Sequence, residues 1–128
     1  MSEQPSSERP TLYAYLGPHL IDALVDRLYD RITKDERLAP FYAHMNTERL
    51  RIRMKEFLAF VTGGPSRYRG ADLRTAHTMP VSMGMQSEHF DLVAQTLVAE
   101  MRDFGVAEDR IAELVALVES VRSDVLNR

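Results

Sequence analysis

The chain has 128 residues, no cysteine and a net charge of −3, and its length suits one domain. Without cysteine, disulfides, thiolate metal sites and cysteine nucleophiles are excluded, and the acidic balance argues against a nucleic-acid-binding protein. No apolar run approaches the roughly 18 residues that cross a bilayer, so no stable membrane insertion is expected. Residues 1–10 predict a disordered tail without the features of a signal peptide, and we expect a cytoplasmic protein.

The first half of the chain predicts a short helix and two long ones. The short helix spans 11–16 and stops at Gly17-Pro18, because Gly suits a helix end and Pro the first turn of the next helix. The first long helix has apolar residues at helical spacing: Leu20, Ile21, Leu24, Val25, Leu28, Tyr29 and Ile32. After a polar turn, Asn46 can cap the second long helix, which ends at Gly63-Gly64-Pro65. The apolar face of that helix holds Leu50, Met54, Phe57, Leu58 and Val61.

The second half predicts two further helices after a glycine-marked loop. Ser87 is expected to cap the first of them, and Gly105 to end it. Its apolar face holds Phe90, Val93, Leu97, Met101 and Phe104. The last helix is expected to run to Val125, with Ile111, Leu114, Val115, Val118 and Val121 on its apolar face. Because no segment alternates with a period of two, the sequence predicts an all-α domain over residues 11–128.

His77 is the candidate ligand in the central loop. Imidazole is the commonest side chain at metal sites, but a histidine at a helix end also commonly bonds a backbone carbonyl, and spacing leaves both interpretations open. No HExxH motif or paired His/carboxylate cluster accompanies it, so a zinc hydrolase gains no support. The three methionines that follow fit either packing or a soft metal site: Met79, Met83 and Met85.

Tyr29 is a second candidate, because a buried phenol needs a hydrogen-bond partner. That partner is either a neighbouring backbone group or a ligand in a cavity. The basic residues of the third helix predict a solvated face or an anchor for an anionic ligand: Arg49, Arg51, Arg53 and Lys55. His44 and His89 lie beside polar residues, His19 lies next to Pro18 at a helix start, and all three are expected to be solvated. These residues predict a helical domain with an internal pocket, but they do not identify a cofactor.

Taken together, several of these segments resemble the truncated, or two-on-two, haemoglobins of bacteria. The resemblance covers residues 11–126, and its most specific part combines Gly63-Gly64-Pro65, Tyr68 and the Leu73-Arg74-Thr75-Ala76-His77 segment. It implies a globin-like two-over-two helical sandwich around haem b. Val93 stands where the second subgroup carries a tryptophan, which favours group I. The long link after His77, with its Pro80, is instead similar to groups II and III.

The resemblance also implies roles for single residues. His77 matches the proximal ligand of the iron, and Tyr29 matches the distal tyrosine that donates a hydrogen bond to bound oxygen. Met54 cannot donate, so Tyr29 is expected to act alone or with Tyr42, and oxygen release is expected to be fast. Direct coordination of the iron by Met54 is the alternative. The other implied haem-pocket residues are Phe41, Tyr42, Leu50, Arg53 (on a propionate), Phe57 and Val93.

The function implied by the resemblance is reversible binding of O2, NO and CO, for storage or sensing. An enzymatic role as a nitric oxide dioxygenase, or a peroxidase-like activity, is also implied, with a reductase as partner. Two alternatives remain open. One is a helical interaction or sensor domain that has lost the haem, and the other is a six-coordinate electron-transfer haem protein.

Overall fold

The computed structural model describes residues 10–66, 84 and 86–126. These residues form seven helices and no strand, so the predicted all-α class is confirmed for them. His77 and the remainder of 67–83 lie outside the described residues, as do residues 1–9 of the expected tail. The helices are α1 Leu12–Leu16, α2 Pro18–Ile32, α3 Ala39–Tyr42, α4 Thr47–Thr62, α5 Ser87–Asp103, α6 Glu108–Glu119 and α7 Arg122–Val125.

The four long helices, α2, α4, α5 and α6, pack across one another in two layers. Helix α2 packs against both α4 and α5, and α6 also packs against both α4 and α5. Their apolar faces meet in one cluster of buried side chains, which is the arrangement that amphipathic helices adopt to remove their apolar stripes from water. The innermost of these side chains include Leu24, Leu28, Leu58, Met101 and Leu114.

The predicted helix ends are confirmed at three positions. Gly17 has φ +81° between α1 and α2, and Pro18 begins α2. The Asn46 side chain accepts a hydrogen bond of 3.2 Å from the backbone N–H of Arg49, which caps α4. Gly63 closes α4 in the left-handed region, with φ +93°, a conformation that glycine adopts without steric cost.

Three local predictions in the second half are wrong. Gln86, not Ser87, caps α5, because Gln86 and His89 form a reciprocal capping pair. The expected last helix is interrupted between Glu119 and Arg122 and continues as α7. Two side chains assigned to apolar faces are exposed, Phe104 and Val115. Among the described helices, none is long and apolar enough to cross a membrane.

Candidate functional site

Two tyrosines from different helices meet at the inner side of α2. Tyr29 lies on the buried face of α2 with 4% of its surface exposed. Its ring stands edge-on to the ring of Tyr42, with 6.0 Å between ring centroids. Tyr42 is half-buried as a residue, yet burial raises the pKa of its phenol to about 12. Its hydroxyl therefore stays protonated at neutral pH and can donate a hydrogen bond.

The backbone of α2 is fixed just beyond Tyr29. The Thr33 hydroxyl donates a hydrogen bond of 2.6 Å to the carbonyl oxygen of Tyr29, and the Thr33 N–H donates to the same oxygen at 3.1 Å. These two bonds satisfy a carbonyl at the helix end, where the regular ladder stops. The end of α2 that carries the Tyr29 ring is therefore held by local contacts.

One face of α4 forms an apolar wall beside these rings. Leu50 and Met54 are half-buried near the start of the helix, and Phe57 and Leu58 are buried one turn later. Leu50, Met54 and Tyr42 all pack against the buried core from its margin. Arg53 follows the same helix but is exposed. The wall is apolar on its inner side and carries a cation at its edge.

A second group of predicted residues lies where α3 meets the start of α5. The Phe41 ring is buried and packs edge-on against His89, with 4.8 Å between ring centroids. His89 is held in place because its Nδ1 accepts a 2.9 Å hydrogen bond from the Gln86 N–H. Val93, one turn further along α5, is half-buried against the core. The expectation that His89 is solvated was wrong, because its ring is packed and hydrogen-bonded.

Arg51 is a residue of the site that sequence reasoning placed on a solvated face. Its side chain is only 20% exposed. One guanidinium nitrogen donates to the backbone oxygen of Asp26 at 2.9 Å and to its carboxylate at 3.2 Å. The other nitrogen donates to the Asp30 carboxylate at 2.9 Å, and that hydrogen bond raises the pKa of Arg51. The guanidinium carbon also lies 5.8 Å from the ring centroid of Tyr29.

A sequence signal for this contact does exist. Asp22, Asp26 and Asp30 recur every four residues on α2, so they form one acidic stripe. Arg51 and Lys55 are also four residues apart on α4, and residues at that spacing share a helix face. Complementary stripes predict that the two helices meet along these faces.

The metal prediction rests on a residue that is not described. His77 lies outside the described residues, so its role as a metal ligand stays a prediction. Among those residues, no three histidine or carboxylate side chains are grouped so that they could hold a metal ion. The described residues of the site therefore contribute its apolar walls and the hydroxyl groups of two tyrosines.

The model of the bacterial-like globin family matches residues 11–127. The chain belongs to this family. The group 1 truncated haemoglobin GlbN of Synechocystis is 38% identical over 122 residues, covering 92% of this chain and 98% of that protein. A group 1 truncated haemoglobin of Tetrahymena thermophila is 29% identical, covering 94% of this chain and 98% of that protein. The predicted membership of the truncated haemoglobins is confirmed.

Solved structures show that the truncated globin fold is shared as well. The 2/2 haemoglobin of Synechococcus, in the cyanomet state with covalently attached haem, superposes with a TM-score of 0.86 at 32% identity, covering 93% of this chain and all of that one. The Fe(III) form of the Tetrahymena pyriformis truncated haemoglobin gives 0.83 at 30% identity, covering 91% of this chain and 98% of that one. The predicted two-over-two helical sandwich is thereby confirmed, and so is a haem-binding globin at the level of the family.

Proposed function

We propose that this globin binds haem b and reversibly binds O2, NO and CO, with His77 as the iron ligand and Tyr29 as the hydrogen-bond donor to the gas. The observation that carries the proposal is the Tyr29–Tyr42 pair, whose rings meet at 6.0 Å beside the apolar wall of α4. Two phenols next to an apolar wall suit a small ligand that carries partial negative charge.

The described residues fit a haem. A porphyrin is flat and apolar, with carboxylates at one edge, so it needs apolar walls and a cation where it meets water. Leu50, Met54 and Phe57 supply the wall on α4, with Phe41, Tyr42 and Val93 on α3 and α5. Arg53 is exposed on α4, one residue before Met54, and suits a propionate. When bound, haem supplies a redox-active iron that can take a diatomic ligand.

Tyr29 and Tyr42 give the pocket its polarity. Burial raises the pKa of Tyr42 to about 12, so this phenol remains a donor throughout the physiological range. A hydrogen bond to a charged group in a dry environment contributes more than the same bond in water. Met54 has a thioether, which cannot donate. The tyrosines are therefore the hydrogen-bond donors we propose for the gas, and the α4 wall keeps competing water away.

The first test is the absorption spectrum of the purified protein, alone and after addition of hemin. We expect a strong haem band that is lost in His77→Ala and restored by added imidazole. His19→Ala is the matched control, because His19 is exposed at the start of α2 and should leave the band unchanged. A colourless protein that takes up no hemin would contradict the proposal. A six-coordinate ferrous spectrum without added ligand would favour electron transfer instead.

The second test addresses Tyr29. Because a hydrogen bond to a charged partner contributes about 1.5–3 kcal/mol, Tyr29→Phe should speed oxygen dissociation roughly 10- to 150-fold. Stopped-flow displacement of oxygen measures this rate. The matched control is Tyr15→Phe, since Tyr15 lies on α1 and its hydroxyl instead accepts a hydrogen bond from the Ala107 N–H. An unchanged rate in Tyr29→Phe would remove Tyr29 from the proposed role. Conversion of nitric oxide, a reductase partner and a cytoplasmic location stay predictions.

A further inference from the structure

Arg51 joins the two helices that carry the distal side of the site. Its guanidinium spans one turn of α2, donating to Asp26 from one nitrogen and to Asp30 from the other. Tyr29 lies within that turn, immediately before Asp30. A planar guanidinium that holds two acceptors at once has a fixed orientation, unlike a single-point ammonium contact. Arg51 therefore fixes the position of α4 relative to the turn of α2 that carries Tyr29.

The same guanidinium also touches the tyrosine ring. Its central carbon lies 5.8 Å from the Tyr29 ring centroid, within the range of a cation–π contact. On α4, Arg51 directly follows Leu50 and stands three residues before Met54, both on the inner wall. One side chain thus contacts the Tyr29 ring from α4 and fixes the turn of α2 that carries this ring.

We propose that Arg51 is a positioning residue for Tyr29. It holds the phenol at the distance from the α4 wall that its hydrogen bond to the gas requires. The inference rests on the proposed function, since it concerns the same site. Arg51 does not itself touch the gas. Its effect passes through Tyr29, so losing Arg51 should matter only while the Tyr29 hydroxyl is present.

Lys55 supplies a matched control on the same interface. It stands one turn after Arg51 on α4, and its ammonium lies 3.8 Å from carboxylate oxygens of Asp22 and Asp26. Lys55→Met removes an ion pair between α2 and α4 just as Arg51→Met does, and it too removes a contact with Asp26, but it leaves the Arg51 contacts with Asp30 and with the Tyr29 ring in place. Both variants should fold, because Asp26 and Asp30 are 53% and 63% exposed and can be hydrated once unpaired.

The first measurement does not require haem. In protein labelled with 13C at the tyrosine rings, the signal absent from Tyr29→Phe identifies Tyr29. We expect Arg51→Met to shift and broaden this signal, and Lys55→Met to leave it in place. Asp30→Ala, which removes one acceptor of the contact, should give a smaller shift of the same kind. An unmoved Tyr29 signal in Arg51→Met, or an equal shift in Lys55→Met, would overturn the inference.

The second measurement is oxygen dissociation from the haem-loaded protein. Arg51→Met should raise the rate about fivefold, as expected when a contact of cation–π strength is lost. Arg51→Lys should recover part of the loss. In a Tyr29→Phe background, Arg51→Met should add nothing, and an increase that persists there would refute action through Tyr29. If Tyr29→Phe is fast while Arg51→Met matches the wild type, the inference fails and the proposed function stands. If Tyr29→Phe is unchanged, the role of the phenol itself fails.

Discussion

In the turn that ends α4, Gly64 packs so closely against Tyr13 that a larger residue there should destabilise the protein. A Cβ added at Gly64 would lie within 2.7 Å of three carbon atoms of the Tyr13 ring. Carbon atoms normally meet at about 3.5–4.0 Å, so Gly64→Ala forces the ring of Tyr13 to move by roughly 1 Å. Overpacking of this kind costs about 1–3 kcal/mol. We therefore expect Gly64→Ala to lower the free energy of unfolding by about 2 kcal/mol.

The neighbouring Gly63 gives a control with a different cause. A Cβ there would meet only Thr11, at an ordinary 3.7 Å, but the backbone has φ +93°. Gly63→Ala should therefore cost about 1–2 kcal/mol through left-handed strain rather than through a clash. The two glycines separate steric from conformational effects within one turn.

Tyr13→Ala decides between the two causes. With the ring removed, the added methyl group at Gly64 has room, so the cost of Gly64→Ala should nearly vanish in the Tyr13→Ala background. The cost of Gly63→Ala should persist there. Urea unfolding followed by circular dichroism measures all five variants and the wild type. A Gly64→Ala penalty that survives the loss of Tyr13 would refute the reasoning.

Three further predictions follow from buried polar groups and from the distal wall. Since burial raises the pKa of Tyr42 from 10 to about 12, the unfolded chain loses this proton first. The free energy of unfolding should therefore fall between pH 10 and 12 as Tyr42 titrates, by about 1.4 kcal/mol at pH 11. Urea unfolding should show this loss in the wild type and not in Tyr42→Phe. Glu100 is fully buried between half-exposed Arg27 and Arg31. Replacing both arginines with methionine should thus destabilise by about 3 kcal/mol or more, and adding Glu100→Gln should restore part of that in the same assay. Met54→Gln supplies a second donor and should slow oxygen dissociation about tenfold in stopped flow, whereas Met54→Leu should not.

The helices were predictable because each long one is amphipathic. The spacing from Leu20 to Ile32 places the buried face of α2 correctly, Tyr29 included, because burial follows the period of the helix. Asn46 and Gly63 were also predictable, since caps and left-handed ends depend on local chemistry. The half-buried positions of Leu50 and Met54 on α4 agree with their place on the predicted apolar face.

The partners of polar side chains were not predictable in the same way. The period of a helix reports which face is apolar, and only a complementary charge pattern, such as the acidic stripe of α2 and the basic pair of α4, indicates which helix lies opposite its polar face. His89 was expected in water and instead packs on Phe41, and Arg51 was assigned to a basic face although it reaches across to α2. The break between α6 and α7 leaves no Gly or Pro signal in the sequence, because Ser120 and Val121 are both compatible with a helix.

The acidic and basic stripes explain how α2 and α4 can hold a site between them. Toward the inside, α4 presents Leu50 and Met54, which are only half-buried and so contribute less burial energy than fully buried side chains. Toward the outside, Arg51 and Lys55 reach the carboxylates of α2. Directional contacts can thus set the helix spacing where apolar packing is incomplete. Because ion pairs at the outer edge hold α2 and α4 together, the inner face of α4 can contact a ligand instead of packing fully against α2. Arg51 is the residue of this outer edge that also contacts Tyr29.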